Sequence, residues 1–126
     1  MLTDPIADFL NQLKNASLAK HREVQVRFSK FKEALAQVLK KEGFVQEVST
    51  LTEDKLSWLV VGLVPERTLH VRKISKPGRR IYVSFEKIPK VKSGLGIVLL
   101  STSQGVMSNK QAYQKKIGGE YLAEVY

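Results

Sequence analysis

Few residues of this sequence have the type and spacing that catalysis or metal binding requires. The two histidines, His21 and His70, are far apart and lack the close spacing of a metal-binding pair. Ser17-Leu18-Ala19-Lys20 matches the Ser-x-x-Lys motif of penicillin-binding enzymes, but the companion motifs are absent. Gly94-Leu95-Gly96 lacks the third glycine of a dinucleotide-binding motif, and the chain has no cysteine. The sequence therefore predicts a protein without an active site, a bound metal or a cofactor.

A polar segment in the second half, residues 101–105, has side chains suited to RNA instead. It follows an apolar strand, and its members are Ser101, Thr102, Ser103, Gln104 and Gly105. Hydroxyl groups donate and accept hydrogen bonds, so they can contact ribose 2′-hydroxyls and base edges. A predicted helix begins just after it with a Ser108 cap, and helix N-termini favour phosphate. The alternative for this segment alone is an ordinary surface loop.

The residues before this segment predict a basic strand. Apolar and polar residues alternate over positions 80–85, which is typical of a strand with one apolar face. The other face offers cations and one aromatic ring for base stacking, and the preceding turn adds two more cations. The residues concerned are Arg80 and Tyr82 on the strand and Lys76 and Arg79 at the turn. A solvated sheet face without a partner is the alternative.

The charge of the chain is confined to one half. The 126 residues contain 21 Lys+Arg and 12 Asp+Glu, a formal net charge of +9. Residues 1–66 contain 9 of each sign, whereas residues 67–126 contain 12 cations and only Glu86, Glu120 and Glu124 as anions. Such asymmetry indicates a polyanionic partner, of which nucleic acid and an anionic membrane are the usual ones.

Hydrophobic periodicity predicts an α+β fold of two small subdomains. Residues 1–64 should form a neutral α-β-α-β-β unit, with a helix from Thr3-Asp4-Pro5 to about residue 19 and a second helix between Ser29 and Gly43. Its strands should cover residues 23–28, 45–51 and 56–64. Residues 65–126 should form a basic, mostly β unit, because the charge balance changes at Pro65 and Glu66.

The second unit should contain one hairpin, two further strands and one short helix. The hairpin is predicted from strands at 69–74 and 80–85 around Lys76-Pro77-Gly78-Arg79. The further strands should cover residues 96–101 and 121–126. The helix should begin with the capping box Ser108-Asn109-Lys110-Gln111 and end at Gly118.

The composition also bounds the location of the protein. The longest apolar run, residues 94–100, is far shorter than a membrane span, so we expect no membrane insertion. Asp4 and Asp8 occupy positions where a signal peptide would be basic. With the lack of cysteine, this predicts a reduced, cytoplasmic protein.

Five motifs in register resemble a known family. The first is Thr3-Asp4-Pro5-Ile6-Ala7-Asp8 at the start of the chain, and the others are Ile74-Ser75-Lys76-Pro77-Gly78, Pro89 through Gly94-Leu95-Gly96, the polar segment, and Gly118-Gly119-Glu120. Together they resemble the bacterial type of the eighth small-subunit ribosomal protein, and the match runs from Met1 to Tyr126.

This resemblance implies a primary binder of 16S ribosomal RNA that has no cofactor. Such a protein binds the central domain and helps assemble the platform of the small subunit, beside neighbouring proteins, the fifth and twelfth among them. It can also repress translation of its own operon mRNA. The resemblance also implies that the protein is a monomer outside the ribosome. Its implied location is the small subunit, in the cytoplasm or, for an organellar protein, in the organelle matrix.

The resemblance also implies which residues contact RNA. The polar segment should enter the minor groove of an irregular RNA helix, with the glycine motif beside it, and the amino-terminal half should touch a second RNA region and neighbouring proteins. Glu120 should either accept from ribose hydroxyls and base amines or pair with an internal cation. Beyond the residues named above, the RNA-binding set is Thr3, Asp4, Lys14, Asn15, Lys110, Tyr113, Gly118, Gly119 and Glu120.

Some residues depart from the family pattern. Ser108-Asn109 replaces Thr-Asp at the last helix, Tyr113 replaces a frequent Arg, and Tyr126 replaces a terminal Trp. In the first helix, Lys14 is the one cation of a stretch that is commonly basic in the family. The departures therefore change the expected RNA contacts of the first helix more than those of the polar segment.

The sequence is compatible with two other classes of function. The basic half could bind an acidic protein, with Phe9, Phe44 and Trp58 of the neutral half as a docking surface, although core packing explains these three as well. A small-molecule enzyme is the third class, and it has no supporting motif.

Overall fold

The computed structural model describes residues 4–126, apart from the side chain of Ser93. Backbone contacts divide the chain into two units. We call Ile6–Leu69 the N-terminal unit, and His70–Tyr126 together with Asp4 and Pro5 the C-terminal unit. The predicted α+β class with two subdomains is confirmed. Within residues 4–126, no helix combines the length and apolar character needed to cross a membrane.

The two helices of the N-terminal unit follow the predicted apolar periodicity. Helix α1 spans Pro5–Leu18, and helix α2 spans Lys30–Lys41. Ser29 caps α2 because its side chain accepts a hydrogen bond from the Lys32 N–H at 3.1 Å. The chain leaves α2 through Gly43, whose φ of +83° is costly for other residues. Phe44 follows it directly into the core.

A three-stranded antiparallel sheet completes the N-terminal unit. Its strands are β1 (Glu23–Arg27), β2 (Val45–Glu53) and β3 (Leu56–Leu63), in the order β1-β3-β2. The turn between β2 and β3 is Asp54-Lys55, and both residues have a positive φ. Two residues at positive φ match the twist of a tight hairpin, so β2 extends two residues further than predicted. Leu35, Leu39, Leu59, Val61 and Phe44 are buried in this unit.

The C-terminal unit is built on a five-stranded sheet. Its strands are β4 (Val71–Lys73), β5 (Tyr82–Val83), β6 (Ile97–Thr102), β7 (Gly105–Ser108) and β8 (Gly119–Val125). The order is β4-β8-β6-β7, and β5 pairs with β8 as well. Helix α3 spans Asn109–Lys115, and short 3₁₀ helices cover Phe85–Lys87 and Lys92–Gly94. One apolar cluster joins these elements, formed by Val91, Val98, Leu100, Met107, Ala112 and Tyr121.

The prediction that residues 69–74 and 80–85 pair as a hairpin is wrong, although the turn between them forms. Lys76 and Arg79 exchange backbone hydrogen bonds of 3.0 and 2.9 Å, but β4 and β5 each pair with β8 and not with each other. The Ser75 hydroxyl accepts from the Ile81 N–H at 2.8 Å and donates to the Ile81 carbonyl. The Ser75 side chain thus replaces the backbone hydrogen bonds that would come next in a ladder between β4 and β5. These two strands are therefore short and do not pair with each other.

The structure contains one strand that the sequence did not predict. Strand β7 pairs with β6 through a two-residue turn at Ser103 and Gln104. The predicted polar loop is therefore the tip of a β-hairpin, with Ser101 and Thr102 on β6 and Gly105 at the start of β7. Strand β8 also begins two residues earlier than predicted, at Gly119.

Candidate nucleic-acid interface

Three of the predicted site residues lie in one row across the C-terminal sheet. Tyr82 of β5 is opposite Glu120 of β8, and Glu120 is opposite Ser101 of β6. Residues opposite each other in antiparallel strands project from the same face and lie next to each other. The Tyr82 side chain is 69% exposed. The sheet therefore presents an aromatic ring, a carboxylate and a hydroxyl side by side.

Arg80 joins this row through an ion pair with Glu120. Its guanidinium donates to the Glu120 carboxylate at 3.0 Å, and Glu120 is mostly buried while Arg80 is about half exposed. The hydrogen bond to Glu120 raises the pKa of the Arg80 guanidinium. Glu120 therefore has an internal cation partner in the free protein, which is one of its two predicted roles.

The hairpin tip holds its own polar groups in fixed positions. The Thr102 hydroxyl donates to the Gly105 carbonyl at 2.8 Å and accepts from the Gln104 N–H at 3.1 Å. The Lys115 ammonium on α3 donates to the Gln104 side-chain oxygen at 3.3 Å. Thr102 therefore shapes the turn, and Ser101 and Ser103 are the residues before and after Thr102.

Lys115 is a contact that the predicted site set did not contain. It is exposed on α3, and its hydrogen bond to Gln104 links the helix to the hairpin tip. In the sequence, the run Lys115-Lys116 at the end of a capped helix was the feature that could have indicated this contact. The distance of Lys115 from the hairpin tip, however, depends on the pairing of β6 with β7.

The glycine pair before Glu120 is required by close backbone contacts. A Cβ atom at Gly119 would lie less than 3.0 Å from the Ser101 carbonyl oxygen. A Cβ atom at Gly118 would lie equally close to the Val83 carbonyl oxygen. Glycine lets β5 and β6 approach β8 at the point where the row of site residues forms. These two positions therefore have a packing role whatever their contribution to RNA contacts.

Helix α3 begins next to β7 and presents polar and aromatic groups. Ser108 accepts from the Gln111 N–H at 3.3 Å and Gln111 returns a side-chain contact at 3.2 Å, which forms the predicted capping box. Lys110 is exposed in the first turn. Tyr113 is 64% exposed, and its ring meets the Phe85 ring edge to face at 6.2 Å. The helix therefore adds a cation and a second exposed aromatic ring to the C-terminal unit.

The remaining predicted site residues lie elsewhere. Lys76 and Arg79 are exposed at the two ends of the Pro77-Gly78 turn. Asp4 forms a mostly buried ion pair with Lys73 at 3.5 Å. Lys14 and Asn15 lie on α1 in the N-terminal unit, and Thr3 is outside the described residues.

Several anions of the C-terminal unit have cation partners, and each pair neutralises one cation of that unit. Glu124 lies 3.9 Å from Arg72 and accepts a hydrogen bond from the Tyr121 hydroxyl, and Glu120 and Asp4 are paired as described. Burial raises the pKa of the Tyr121 phenol, and its hydrogen bond to Glu124 adds to this effect. The phenol is therefore a neutral donor at physiological pH. Among the described residues, no group of three or more His, Cys, Asp or Glu could hold a metal ion.

Comparison with known proteins identifies the family. The family model for ribosomal protein S8 matches residues 4–126 of this chain. The chain belongs to the ribosomal protein S8 family. The small ribosomal subunit protein uS8 of Nitratidesulfovibrio vulgaris (strain Miyazaki F) is 49% identical over 127 residues, covering all of both chains. The uS8 protein of Ligilactobacillus salivarius is 47% identical over 131 residues, covering all of this chain and 99% of the relative.

Membership of the S8 family confirms the resemblance predicted from the five motifs. The family consists of structural ribosomal proteins and not of enzymes, which confirms the prediction of a protein without catalytic activity. Binding of ribosomal RNA is general to the family.

Proposed function

We propose that this S8 family member is a primary binder of 16S ribosomal RNA in the small subunit. In this proposal it binds the central domain, helps assemble the platform, and lies beside neighbouring proteins such as the fifth and twelfth of the small subunit. It acts in the cytoplasm, or in the organelle matrix if the chain is organellar. It is a monomer before assembly and also represses its own operon mRNA through an RNA site that mimics the ribosomal one.

The observation that supports this proposal best is the row formed by Tyr82, Glu120 and Ser101. It places a stacking ring, an acceptor and a hydroxyl within three neighbouring strands, and the hairpin tip extends from one end of it. The minor groove of duplex RNA is wide and shallow and displays 2′-hydroxyls, which short hydroxyl side chains can reach. We propose Ser101 and Ser103 as the groups that contact the groove, with Thr102 holding the turn.

Phosphate contacts supply affinity in this proposal. Lys76, Arg79, Lys110 and Lys115 are exposed around the C-terminal unit and have the long, flexible side chains that reach phosphates. We propose that residues 65–126 form the main RNA-binding part. Residues 1–64 would supply secondary RNA and protein contacts, with Lys14 and Asn15 on α1 as the RNA contacts.

Removing the hydroxyls of the hairpin tip should reduce RNA selectivity. In the triple variant Ser101→Ala, Thr102→Ala, Ser103→Ala, we expect the preference for the 16S central-domain fragment over random duplex RNA to fall about tenfold or more, since each hydrogen bond contributes about 1 kcal/mol. Filter binding of both RNAs at one salt concentration measures this ratio.

The control variant removes three exposed hydroxyls from β2. Ser49→Ala, Thr50→Ala, Thr52→Ala should leave the ratio unchanged. The single variants Ser101→Ala and Ser103→Ala, which keep the Thr102 turn contacts, separate recognition from turn geometry. An equal loss of affinity for both RNAs would show that the tip only supports the fold.

Replacing Glu120 with glutamine distinguishes its two proposed roles. Because Glu120 neutralises Arg80 in the free protein, Glu120→Gln should release a cation and raise the affinity for random duplex RNA a few-fold. The magnitude of the salt slope should rise by about one, as for one added phosphate contact. Titrations at several salt concentrations provide both values. A loss confined to the 16S fragment would instead favour a direct contact between the carboxylate and RNA.

Autorepression is tested by competition between two RNAs. A transcript of the protein's own operon should displace the 16S fragment from one shared site, and the hairpin-tip variant should weaken both complexes together. Simultaneous binding of the two RNAs would count against repression by mimicry.

A further inference from the structure

The N-terminal unit contains a cleft whose lining residues lie outside the proposed RNA-binding set. Its volume is about 720 Å³, within the range of roughly 300 to 1,000 Å³ that is typical of small-molecule sites. Every lining residue belongs to the N-terminal unit, and they come from residues 17–22 and 63–68 together with Gln46. We call this space the Arg67 cleft.

Hydrogen bonds hold the two segments of the Arg67 cleft together. The buried Ser17 hydroxyl donates to the Arg67 carbonyl and accepts from the Leu69 N–H, both at 2.9 Å. The Leu63 N–H donates to the Arg22 carbonyl at 2.8 Å. The cleft is therefore built into the folded unit, and a ligand would not have to order these segments on binding.

The guanidinium of Arg67 is held in a fixed position. Its central carbon lies 4.1 Å from the centre of the buried Phe44 ring, and its Nη1 donates to the Gly43 carbonyl at 2.8 Å. A guanidinium has five N–H donors in one plane, so it can hold a phosphate while it also contacts Gly43. An arginine that is already stacked in this way loses little side-chain freedom when it binds an anion.

Two further cations line the Arg67 cleft, and backbone strain accompanies one of them. Lys20 and Arg22 are exposed, and within residues 4–126 neither forms an ion pair. Lys20 has a φ of +61° just after helix α1, a position that favours glycine. A lysine there costs backbone energy, and such strain is concentrated at functional sites. Glu66 is the one carboxylate among the lining residues, so the cleft has an excess of positive charge.

Apolar residues line the same cleft beside these charges. They are Leu63, Val64 and Pro65, and His21 adds an aromatic ring to the lining. An inorganic anion would use only the cations of the cleft. A ligand that carries a flat ring beside its phosphates would use both the cations and the apolar residues, as is typical of small-molecule sites.

We propose that the Arg67 cleft binds a free nucleoside diphosphate or triphosphate. The phosphates contact the three cations, and the base packs against residues 63–65. A chain of two or three phosphates carries several negative charges, which matches cations that come from two segments of the cleft. This activity goes beyond the proposed function, because its ligand is a small molecule and its site is in the neutral half of the chain.

Titration of the full-length protein with GDP, followed by two-dimensional amide NMR spectra, tests the proposal. We expect saturable shifts for residues 20–22 and 66–68. Guanosine and pyrophosphate should each bind at least about tenfold more weakly than GDP, because each uses only one part of the cleft. Equal affinity for pyrophosphate and GDP would overturn the proposal, and so would shifts confined to the basic C-terminal unit.

A double variant tests the cations without changing the core. Lys20→Asn, Arg22→Gln should bind GDP about tenfold more weakly, the loss expected for one charge-assisted hydrogen bond. Asparagine tolerates the positive φ at position 20. The matched control, Lys55→Asn, Lys30→Gln, removes two exposed cations of the same unit outside the cleft, one of them at a φ of +65°. Equal affinities of the two double variants for GDP would overturn the proposal.

Competition separates a free nucleotide from RNA as the ligand of the Arg67 cleft. In equilibrium dialysis, GDP should keep its affinity when the 16S fragment is saturating, and both double variants should bind that fragment equally well. Displacement of GDP by the fragment, or weaker RNA binding by the cleft variant alone, would assign the cleft to RNA and overturn the proposal. Failure of the unsubstituted protein to bind the fragment would instead contradict the proposed function.

Discussion

Raising the salt concentration from 50 to 200 mM should weaken binding of the 16S fragment about a thousandfold or more. This follows if six to ten phosphates are neutralised, because each contact releases condensed counterions from the RNA. The C-terminal unit can supply this number, since residues 70–126 contain 11 Lys+Arg and three glutamates. Three of these cations are paired with Glu120, Glu124 and Asp4, which leaves eight of the 11 outside these pairs. The measurement is a plot of log affinity against log salt concentration.

Single substitutions locate the phosphate contacts that produce this slope. Arg79→Ala, at the exposed turn of the C-terminal unit, should reduce the magnitude of the slope by about one. Lys55→Ala, at the exposed β2–β3 turn of the neutral N-terminal unit, serves as the control and should leave it unchanged. Affinity that does not respond to salt would refute the electrostatic part of the proposed function.

Gly119→Ala should destabilise the protein by about 3 kcal/mol, the upper range for an overpacked site. Its Cβ atom would overlap the carbonyl oxygen of Ser101, which is backbone and cannot rotate away. Strands β6 and β8 would have to separate at the row that contains Glu120 and Ser101. We therefore expect both the free energy of unfolding and the affinity for the 16S fragment to fall, as followed by urea denaturation and filter binding.

Gly62→Ala is the matched control for this prediction. Gly62 is also a strand glycine without a positive φ, but the nearest atom to its Cβ position is a side-chain carbon of Glu47 at 3.3 Å. At this distance the Glu47 Cβ has to move by only a few tenths of an ångström, so the expected cost is below about 1 kcal/mol. Similar losses of stability for the two variants would show that overlap with the Ser101 carbonyl is not what requires glycine at position 119.

Local patterns in the sequence were sufficient for the elements whose signals are contained in adjacent residues. Both long helices follow from apolar residues at three-to-four spacing, and their boundaries follow from Pro5, Ser29 and Gly43. The capping box at Ser108 formed as predicted because its two hydrogen bonds involve residues three positions apart. The motifs that identified the S8 family are likewise contiguous.

Prediction failed where strand partners are distant in sequence. Residues 69–74 and 80–85 look like a hairpin because a turn separates them, but β8 binds both, and nothing near Pro77 indicates this. Strand β7 was not predicted, because Gly105–Ser108 is short and directly follows the polar residues of the hairpin tip. Its alternation of apolar and polar residues is therefore hard to see in the sequence. Pairing of β6 with β7 is what brings Gln104 near Lys115.

By itself, the sequence determined the α+β class, the family, the one-sided charge and the residue types available for RNA. These depend on composition, on periodicity within one element and on contiguous motifs. Only the tertiary structure decided that Tyr82, Glu120 and Ser101 share one row, that Arg80 neutralises Glu120, and that Gly118 and Gly119 are required by approaching backbones. The physical reason is that strand register and ion pairing join residues about 20 to 40 positions apart, which no local pattern specifies.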